Sequence, residues 1–266
     1  MQEKLTETEL LENELNNNII QDYINNMSIK CICKKYKIGD RKLYRLVKGI
    51  NRLDKRYINI SKNKDFEYYL IGLIASDGCI YENKNRIEIS IHINDVDIIK
   101  LIASQIGISY YIENNRKSPR ARVLFTSKDF LKKLLDIGVI PRKSKDMCLD
   151  ISKIDSNYIY AFVRGYFDGD GSIYLSNSKS KLHKDKKLKR VNIVGNKDTM
   201  VKIQNILRQS GISSNINLLC KGGTHVSFDF YALRIYKQDD IVLFKNFIYN
   251  NSTIFLKRKY DKFNAV

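Results

Sequence analysis

The apolar positions of this chain fall into a pattern that is laid down twice. Tyr69-Leu70-Ile71-Gly72-Leu73-Ile74-Ala75-Ser76-Asp77-Gly78 is echoed by Phe162-Val163-Arg164-Gly165-Tyr166-Phe167-Asp168-Gly169-Asp170-Gly171, at an offset of 93 residues. Each copy is apolar enough to be a buried helix and ends in Asp-Gly. Downstream, the period changes in the same order both times. Apolar residues alternating at two-residue spacing (Ile87, Ile89, Ile91; Val191, Ile193) predict a strand pair. A helical stretch follows and closes on Gly107-Ile108-Ser109 or Gly211-Ile212-Ser213. A second strand pair, about 108–125 and 213–236, and a helix, about 127–136 and 238–249, complete each copy. The prediction is an α+β fold of two pseudo-symmetric αββαββα repeats, residues 62–153 and 154–266.

Ahead of the repeats, apolar residues recur at helical spacing in three short stretches. Ile19, Ile20, Tyr23 and Ile24 form the first; Ile29, Ile32, Cys33 and Tyr36 the second; Arg41 to Val47 the third. Between the last two, Gly39 suits a left-handed turn position and Asp40 suits a helix cap. Helix, tight turn and basic helix predict a small all-α helix-turn-helix domain over residues 1–60, with Arg41, Lys42 and Arg45 on the helix that would enter a DNA groove.

Charge sharpens this picture. Lys and Arg number 47 against 29 Asp and Glu, a net charge of +18, which calls for a polyanionic partner. Residues 16–60 alone hold 11 basic residues against three Asp. No apolar run approaches the roughly 18 residues of a membrane span, and Met1–Leu15 carries five Glu where a secretory leader would be basic and apolar. The five Cys are scattered without a CxxC pair and read as reduced thiols, so a reducing, DNA-containing intracellular compartment is expected, an organelle among the alternatives. Three dispersed His exclude a zinc centre or an HNH-type nuclease. The copies differ chiefly where the first has a short turn at Glu82–Arg86. There the second runs from Ser176 to Arg190 with Lys179, Lys181, Lys184, Lys186, Lys187 and Lys189, either a solvated loop or a hairpin extension along a phosphate backbone.

The paired helices carry the candidate chemistry. Gly72 and Ser76, and Gly165 and Gly169, are four residues apart and share a face, so small side chains let the two helices approach. Tyr69, Leu70, Leu73, Ile74, Phe162, Tyr166 and Phe167 are then expected to face each copy's own core. The glycine after each Asp can stop its helix in the left-handed conformation. A carboxylate at a helix C-terminus meets negative partial charge, and two such ends together repel further. A divalent cation relieves both, and with DNA phosphate as substrate the arrangement suits metal-assisted hydrolysis.

Residues 62–266 resemble the LAGLIDADG homing endonucleases in their single-chain, two-motif form, the motif aligning with Leu70–Gly78 and Val163–Gly171. The resemblance implies a saddle that straddles a long double-stranded DNA site, a monomer, and a sequence-specific Mg2+-dependent endonuclease. Mn2+ would substitute, and Ca2+ would support binding without cleavage. Asp77 and Asp170 would be the catalytic metal ligands, with Gly78 and Gly171 beside them at the metal. Asp168 matches an earlier motif position that is not catalytic and is Ala75 in the first copy. A basic residue late in each half is also implied, and Lys143 and Lys257 are the candidates, with Lys145 and Lys259 close by. His92, at a strand end, either orders water at the site or is a satisfied histidine of the sheet. Base contacts would come from the sheets, with Arg86, Glu88 and Ser90 in one half and Arg190, Asn192, Ser227, Asp229 and Arg234 in the other. Lys187 and Lys189 are expected to join them on DNA. Two other functions use the same fold: a non-cleaving transcription regulator, which retention of both Asp argues against, and an intron RNA maturase.

Overall fold

The structure, a computed structural model, describes residues 7–24, 27–50, 60–114, 118–141, 146–177, 187–222 and 229–264. Three helices come first, α1 (Glu7–Ile24), α2 (Ile29–Tyr36) and α3 (Asp40–Leu46). The first repeat follows as α4 (Lys64–Asp77), β1 (Gly78–Tyr81), β2 (Arg86–His92), α5 (Val96–Ile106), β3 (Tyr110–Glu113), β4 (Arg120–Thr126) and α6 (Lys128–Ile137). The second comprises α7 (Ile159–Asp170), β5 (Gly171–Asn177), β6 (Lys187–Gly195), α8 (Lys197–Gln209), β7 (Asn215–Cys220), β8 (Phe230–Ile235) and α9 (Gln238–Tyr249), and a further helix, α10 (Lys257–Asn264), ends the described chain. The fold is α+β, with the expected αββαββα order in both halves.

Each half holds a four-stranded antiparallel sheet of the same order, β1-β2-β4-β3 and β5-β6-β8-β7. The registers also correspond, Gly78 opposite Ile89 and Gly171 opposite Ile193. One face of each sheet carries Ile87, Ile89, Val123 and Phe125, or Val191, Ile193, Leu233 and Ile235, all buried against the helices. The central helices α4 and α7 are buried on nearly every side, from Phe66 to Ala75 and from Ala161 to Asp168. That is the position a helix apolar all round must take. Asn63 starts α4 by accepting the N–H of Phe66, and Gly138 ends α6 in the left-handed region that favours glycine.

At the two Asp-Gly junctions the chain departs from expectation. Gly78 and Gly171 are extended (φ −77° and −92°), not left-handed, and each helix passes directly into a strand. What requires glycine is space. A Cβ on Gly78 would sit 2.6 Å from Cα of Ile74, and one on Gly171 would collide with the ring and carbonyl oxygen of Phe167.

The N-terminal helices have their own small core of Ile19, Ile32, Leu43 and Val47, separate from the main cluster. The turn between α2 and α3 is also made differently from the sequence expectation. Lys37, not Gly39, is the left-handed residue (φ 51°), its N–H returning to Cys33 O. Gly39 is extended and serves as the N-cap, while Asp40 is already the first helical residue and accepts from Cys33 Sγ at 3.1 Å. The chain has therefore turned before it reaches the glycine. The hairpin of the second half is longer than that of the first, pairing out to Asn177 and Lys187. Of the loop lysines, Lys179, Lys181, Lys184 and Lys186 lie outside the described residues. No described helix is long and apolar enough to cross a membrane.

Candidate active site and nucleic-acid interface

The glycine stripes bring α4 and α7 together at backbone distance. A Cβ on Gly72 would collide with Phe162 O and stand 2.8 Å from Tyr166 N; one on Gly165 would collide with Tyr69 O and stand 2.8 Å from Leu73 N. The two contacts are reciprocal. A turn further on, a Cβ on Gly169 would collide with Ser76 Oγ and lie 3.3 Å from Oδ2 of Asp77. The four small residues thus set the approach of the carboxylate-bearing ends. Tyr69 belongs to this contact as well, so it does not face only its own core as the stripe pattern predicted.

Asp77 and Asp170 are both exposed at the helix ends. Their charges act on the same two groups, the phenol of Tyr166 and the ammonium of Lys259. Burial first, and these two carboxylates after it, hold Tyr166 protonated well above the usual phenol range. Its hydroxyl donates to Val194 O.

The basic residue next to this pair in the second half is Lys259. It is only 4% exposed, and its Nζ donates to the carbonyls of Phe167 (2.7 Å), Asp168 (2.5 Å) and Gly169 (3.0 Å), the negative end of α7. Burial lowers its pKa to about 8, against the opposing pull of Asp168, Asp77 and Asp170. Lys257, the residue expected from sequence, is 81% exposed and pairs with Asp261 one turn along α10. The different placement of the two lysines has a simple cause: α10 begins at Lys257, and two residues of helix turn the third onto the inner face. Lys143 and Lys145 lie outside the described residues.

Sequence reasoning set Asp168 aside as a non-catalytic motif position and gave it no role. Its carboxylate is buried and accepts from Tyr69 Oη (3.0 Å), Tyr249 Oη (3.2 Å) and Leu256 N (2.7 Å). Burial raises its pKa to about 6, while Lys259, the Leu256 N–H, Tyr69 and Arg164 oppose that rise. Arg164 is another fully buried charge of α7, bonded to Asp65 of the first half at 2.6 Å and to Ile248 O at 3.0 Å. Arg258 closes a third link between halves on Asp95, at 2.8 Å. The signal available in sequence was the pair of charged residues, Arg164 and Asp168, inside the second apolar run, where the first run has none.

The sheet faces turned away from the helices present the base-reading candidates. In the first half, β-register puts Cys79, Tyr81, Arg86, Glu88, Ser90, His92, Arg120 and Arg122 on one surface. Arg86 lies over the Tyr81 ring and Arg120 Nε donates to Ser90 Oγ at 2.9 Å. His92 is exposed at the end of β2, its Nδ1 accepting from Asn94 N. In the second half Ser172, Tyr174, Arg190, Asn192 and Arg234 share the equivalent surface. Among these, Arg86 Nε, Asn192 Oδ1 and Arg234 Nε are buried polar atoms without a hydrogen-bond partner. Lys187 and Lys189 have the opposite parity to Arg190 along β6. Lys189 reaches Phe263 O at 2.7 Å and caps α10 on the helix side. Asp229 is exposed beside β8, and Ser227 is outside the described residues. Arg41, Lys42 and Arg45 are all exposed or half-exposed on α3, with Leu43 turned into the small core.

A sequence profile described as LAGLIDADG-like domain matches residues 67–137 and 157–249, the greater part of both repeats. The chain belongs to the LAGLIDADG-like family. No curated protein matches it. Among solved structures, this LAGLIDADG-like chain is similar to I-DmoI in complex with DNA and Ca, with 17% identity, a TM-score of 0.48, and 76% of this chain and 97% of that one covered. It is also similar to the I-LtrWI LAGLIDADG homing endonuclease bound to target DNA (12%, 0.49, 76% and 88%) and to the meganuclease I-AabMI bound to uncleaved DNA (11%, 0.49, 74% and 87%).

The donor set of the LAGLIDADG-like helices fits a hard divalent cation. Two carboxylates, each at the negative end of its helix, provide oxygen ligands and charge to neutralise. Among the described residues no cluster of three or more His, Cys, Asp or Glu could close a full protein cage.

Proposed function

We propose that this protein is a monomeric, site-specific double-stranded DNA endonuclease of the homing type that depends on Mg2+. The observation that carries the proposal is the close approach of α4 and α7 through their reciprocal glycine contacts, with Asp77 and Asp170 ending these two helices and both acting on Tyr166 and Lys259. A cation held by the two carboxylates, with Gly78 and Gly171 at the same helix ends, would polarise phosphate and lower the pKa of a water. The protein's own contributions are distinct. The glycine stripes fix the spacing of the two centres. Lys259, on the α7 carbonyls beside Asp170, offers positive charge to a phosphate in a partly buried setting, where it is worth more than in water. Arg86, Asn192 and Arg234 stand on the sheet faces turned away from the helices and would meet base edges there.

The net charge of +18 supports a long contact with a polyanion. The basic α3 would extend that contact beyond the two repeats, with Arg41, Lys42 and Arg45 on phosphates or base edges. An intracellular, DNA-containing compartment goes with this reading.

The test is a selection from a randomised duplex pool in Ca2+, followed by Mg2+ or Mn2+ and sequencing of the ends. A long preferred site that breaks in both strands on metal addition is expected. A preferred site that stays intact would mean a DNA-binding regulator instead. Enrichment of structured RNA alone would mean a maturase.

A further inference from the structure

We infer that Asp168 is a positioning residue that sets Lys259 against the second catalytic carboxylate, and that this device is built in one half only. The inference rests on the endonuclease reading above for its kinetic consequence, but its structural content stands apart from it. Asp168 accepts the N–H of Leu256, three residues ahead of Lys259, at 2.7 Å. Two phenols hold that carboxylate in turn: Tyr249 at the end of α9, and Tyr69 from the central helix of the other half. The Leu256–Lys259 segment is therefore tied at its start to the α7 side chain that precedes Asp170 by two residues. Its far end is tied to the α7 backbone through Lys259 Nζ. Arg258 between them clasps Asp95 across the halves. With both ends fixed, the ammonium has little freedom to leave the helix end, and a preorganised charge costs nothing to orient when substrate arrives.

The pseudo-symmetric positions lack the parts. The residue corresponding to Asp168 is Ala75, and that corresponding to Tyr69 is Phe162, so neither the carboxylate nor its phenol donor has a counterpart. The buried pair crosses the interface once, from Tyr69 to Asp168, and not in the reverse sense. The two catalytic centres are consequently unequal by construction, and strand cleavage through the Lys259 centre depends on a residue that touches neither metal nor phosphate.

Asp168→Asn is the informative variant, because it keeps shape while disturbing the acceptor that three donors converge on. The first measurement needs no activity. The full-length protein, without DNA or metal, is acetylated with a water-soluble N-hydroxysuccinimide ester and the modification rates of Lys259 and Lys257 are compared by mass spectrometry. Lys257, 81% exposed, is the internal standard. In Asp168→Asn the Lys259 rate should rise about tenfold or more relative to Lys257, as expected when a hydrogen-bonded tether to a charged group is lost. An unchanged ratio would overturn the inference whether or not the protein cuts DNA. If Asp168→Asn does not fold, Tyr249→Phe, which removes one donor, should move the ratio the same way by a smaller factor, and no movement would be equally fatal.

The second measurement follows strand-specific nicking of a supercoiled target. Asp168→Asn should reproduce the strand pattern of Lys259→Met, with affinity in Ca2+ unchanged, and the double variant should be no slower than Lys259→Met alone. Additive losses, or a different strand pattern, would show that Asp168 does not act through Lys259. A wild-type protein that cuts neither strand would instead remove the endonuclease reading, and the acetylation ratio would still decide the positioning.

Discussion

Replacing Gly165 by Ala tests the geometry of the site through a single methyl group. On an isolated helix the change would be favourable by about 1 kcal/mol. Here the new Cβ would collide with the carbonyl oxygen of Tyr69 and stand 2.8 Å from Leu73 N, and backbone cannot rotate away as a side chain can. The helices must separate. Overpacking of this kind typically costs about 1–3 kcal/mol; a clash with backbone belongs in the upper half of that range, about 2–3 kcal/mol, so the propensity gain leaves a net loss of about 1–2 kcal/mol. For a chain of this size that is a fall in melting temperature of roughly 2–8 °C. The effect on cleavage should be larger than the effect on stability. A displacement near 1 Å at a reacting centre can cost on the order of a hundredfold in rate, and Asp77 and Asp170 ride on the helices that move. Calorimetry of the variant, with single-turnover cleavage measured well below its melting temperature, separates the two. The Gly72→Ala variant should behave alike, and the double variant should lose less than the sum, because both methyls relax by the same separation. A Gly165→Ala protein that melts at or above wild type and cuts normally would refute the close approach of α4 and α7.

Further expectations follow from the same contacts. Asp77→Asn or Asp170→Asn should abolish double-strand cleavage while binding in Ca2+ persists, and chelation of metal should do the same to the unmodified protein; full cutting by either variant would remove that Asp from the machinery. Asp65→Ala leaves the fully buried Arg164 without its carboxylate and should cost about 3 kcal/mol, a shift of roughly 6–12 °C in a thermal melt; a shift under 2 °C, set against that roughly expected range, would mean the pair is not the anchor described. Burial holds Tyr69, Tyr166 and Tyr249 protonated well above the normal phenol range. The unfolded chain releases those protons near pH 10 and the folded one keeps them, so their contribution is intact below that pH and is lost above it, by up to roughly 1.4 kcal/mol per pH unit for each phenol. Tyr249→Phe should make the alkaline loss of stability less steep in melts run on either side of pH 10, and an unchanged slope would contradict its burial.

The duplicated architecture was readable because the hydrophobic period changes in the same order in both copies, and turn glycines mark the end of the same helix in each. Gly107 and Gly211, both left-handed, close the helices where the repeat placed them. Asp77 and Asp170 stood out because a carboxylate at a helix C-terminus needs a reason. What escaped the sequence was anything that depends on a third dimension. Lys257 and Lys259 are two residues apart in a basic run, and only the start of α10 decides which one turns inward. Lys187 and Lys189 look like part of a basic patch with Arg190 until strand parity divides them. Asp168 was set aside because its motif position is not the catalytic one, yet its mismatch with Ala75 is the asymmetry itself. Gly78 and Gly171 were assigned a backbone role, whereas the packing of Ile74 and Phe167 beneath them decides their identity.

The direct passage from α4 into β1, and from α7 into β5, has a consequence for how such a protein can change. Asp77 and Asp170 occupy the last helical position, and Cys79 and Ser172 on the open faces follow them by only two residues. No hinge separates the two carboxylates from the open sheet faces. On the proposed reading, side chains farther along the strands can be exchanged to favour a new target, while the point of scission stays locked to the centre of the site by covalent geometry. Evolution or an engineer could then revise the address without revising the cut.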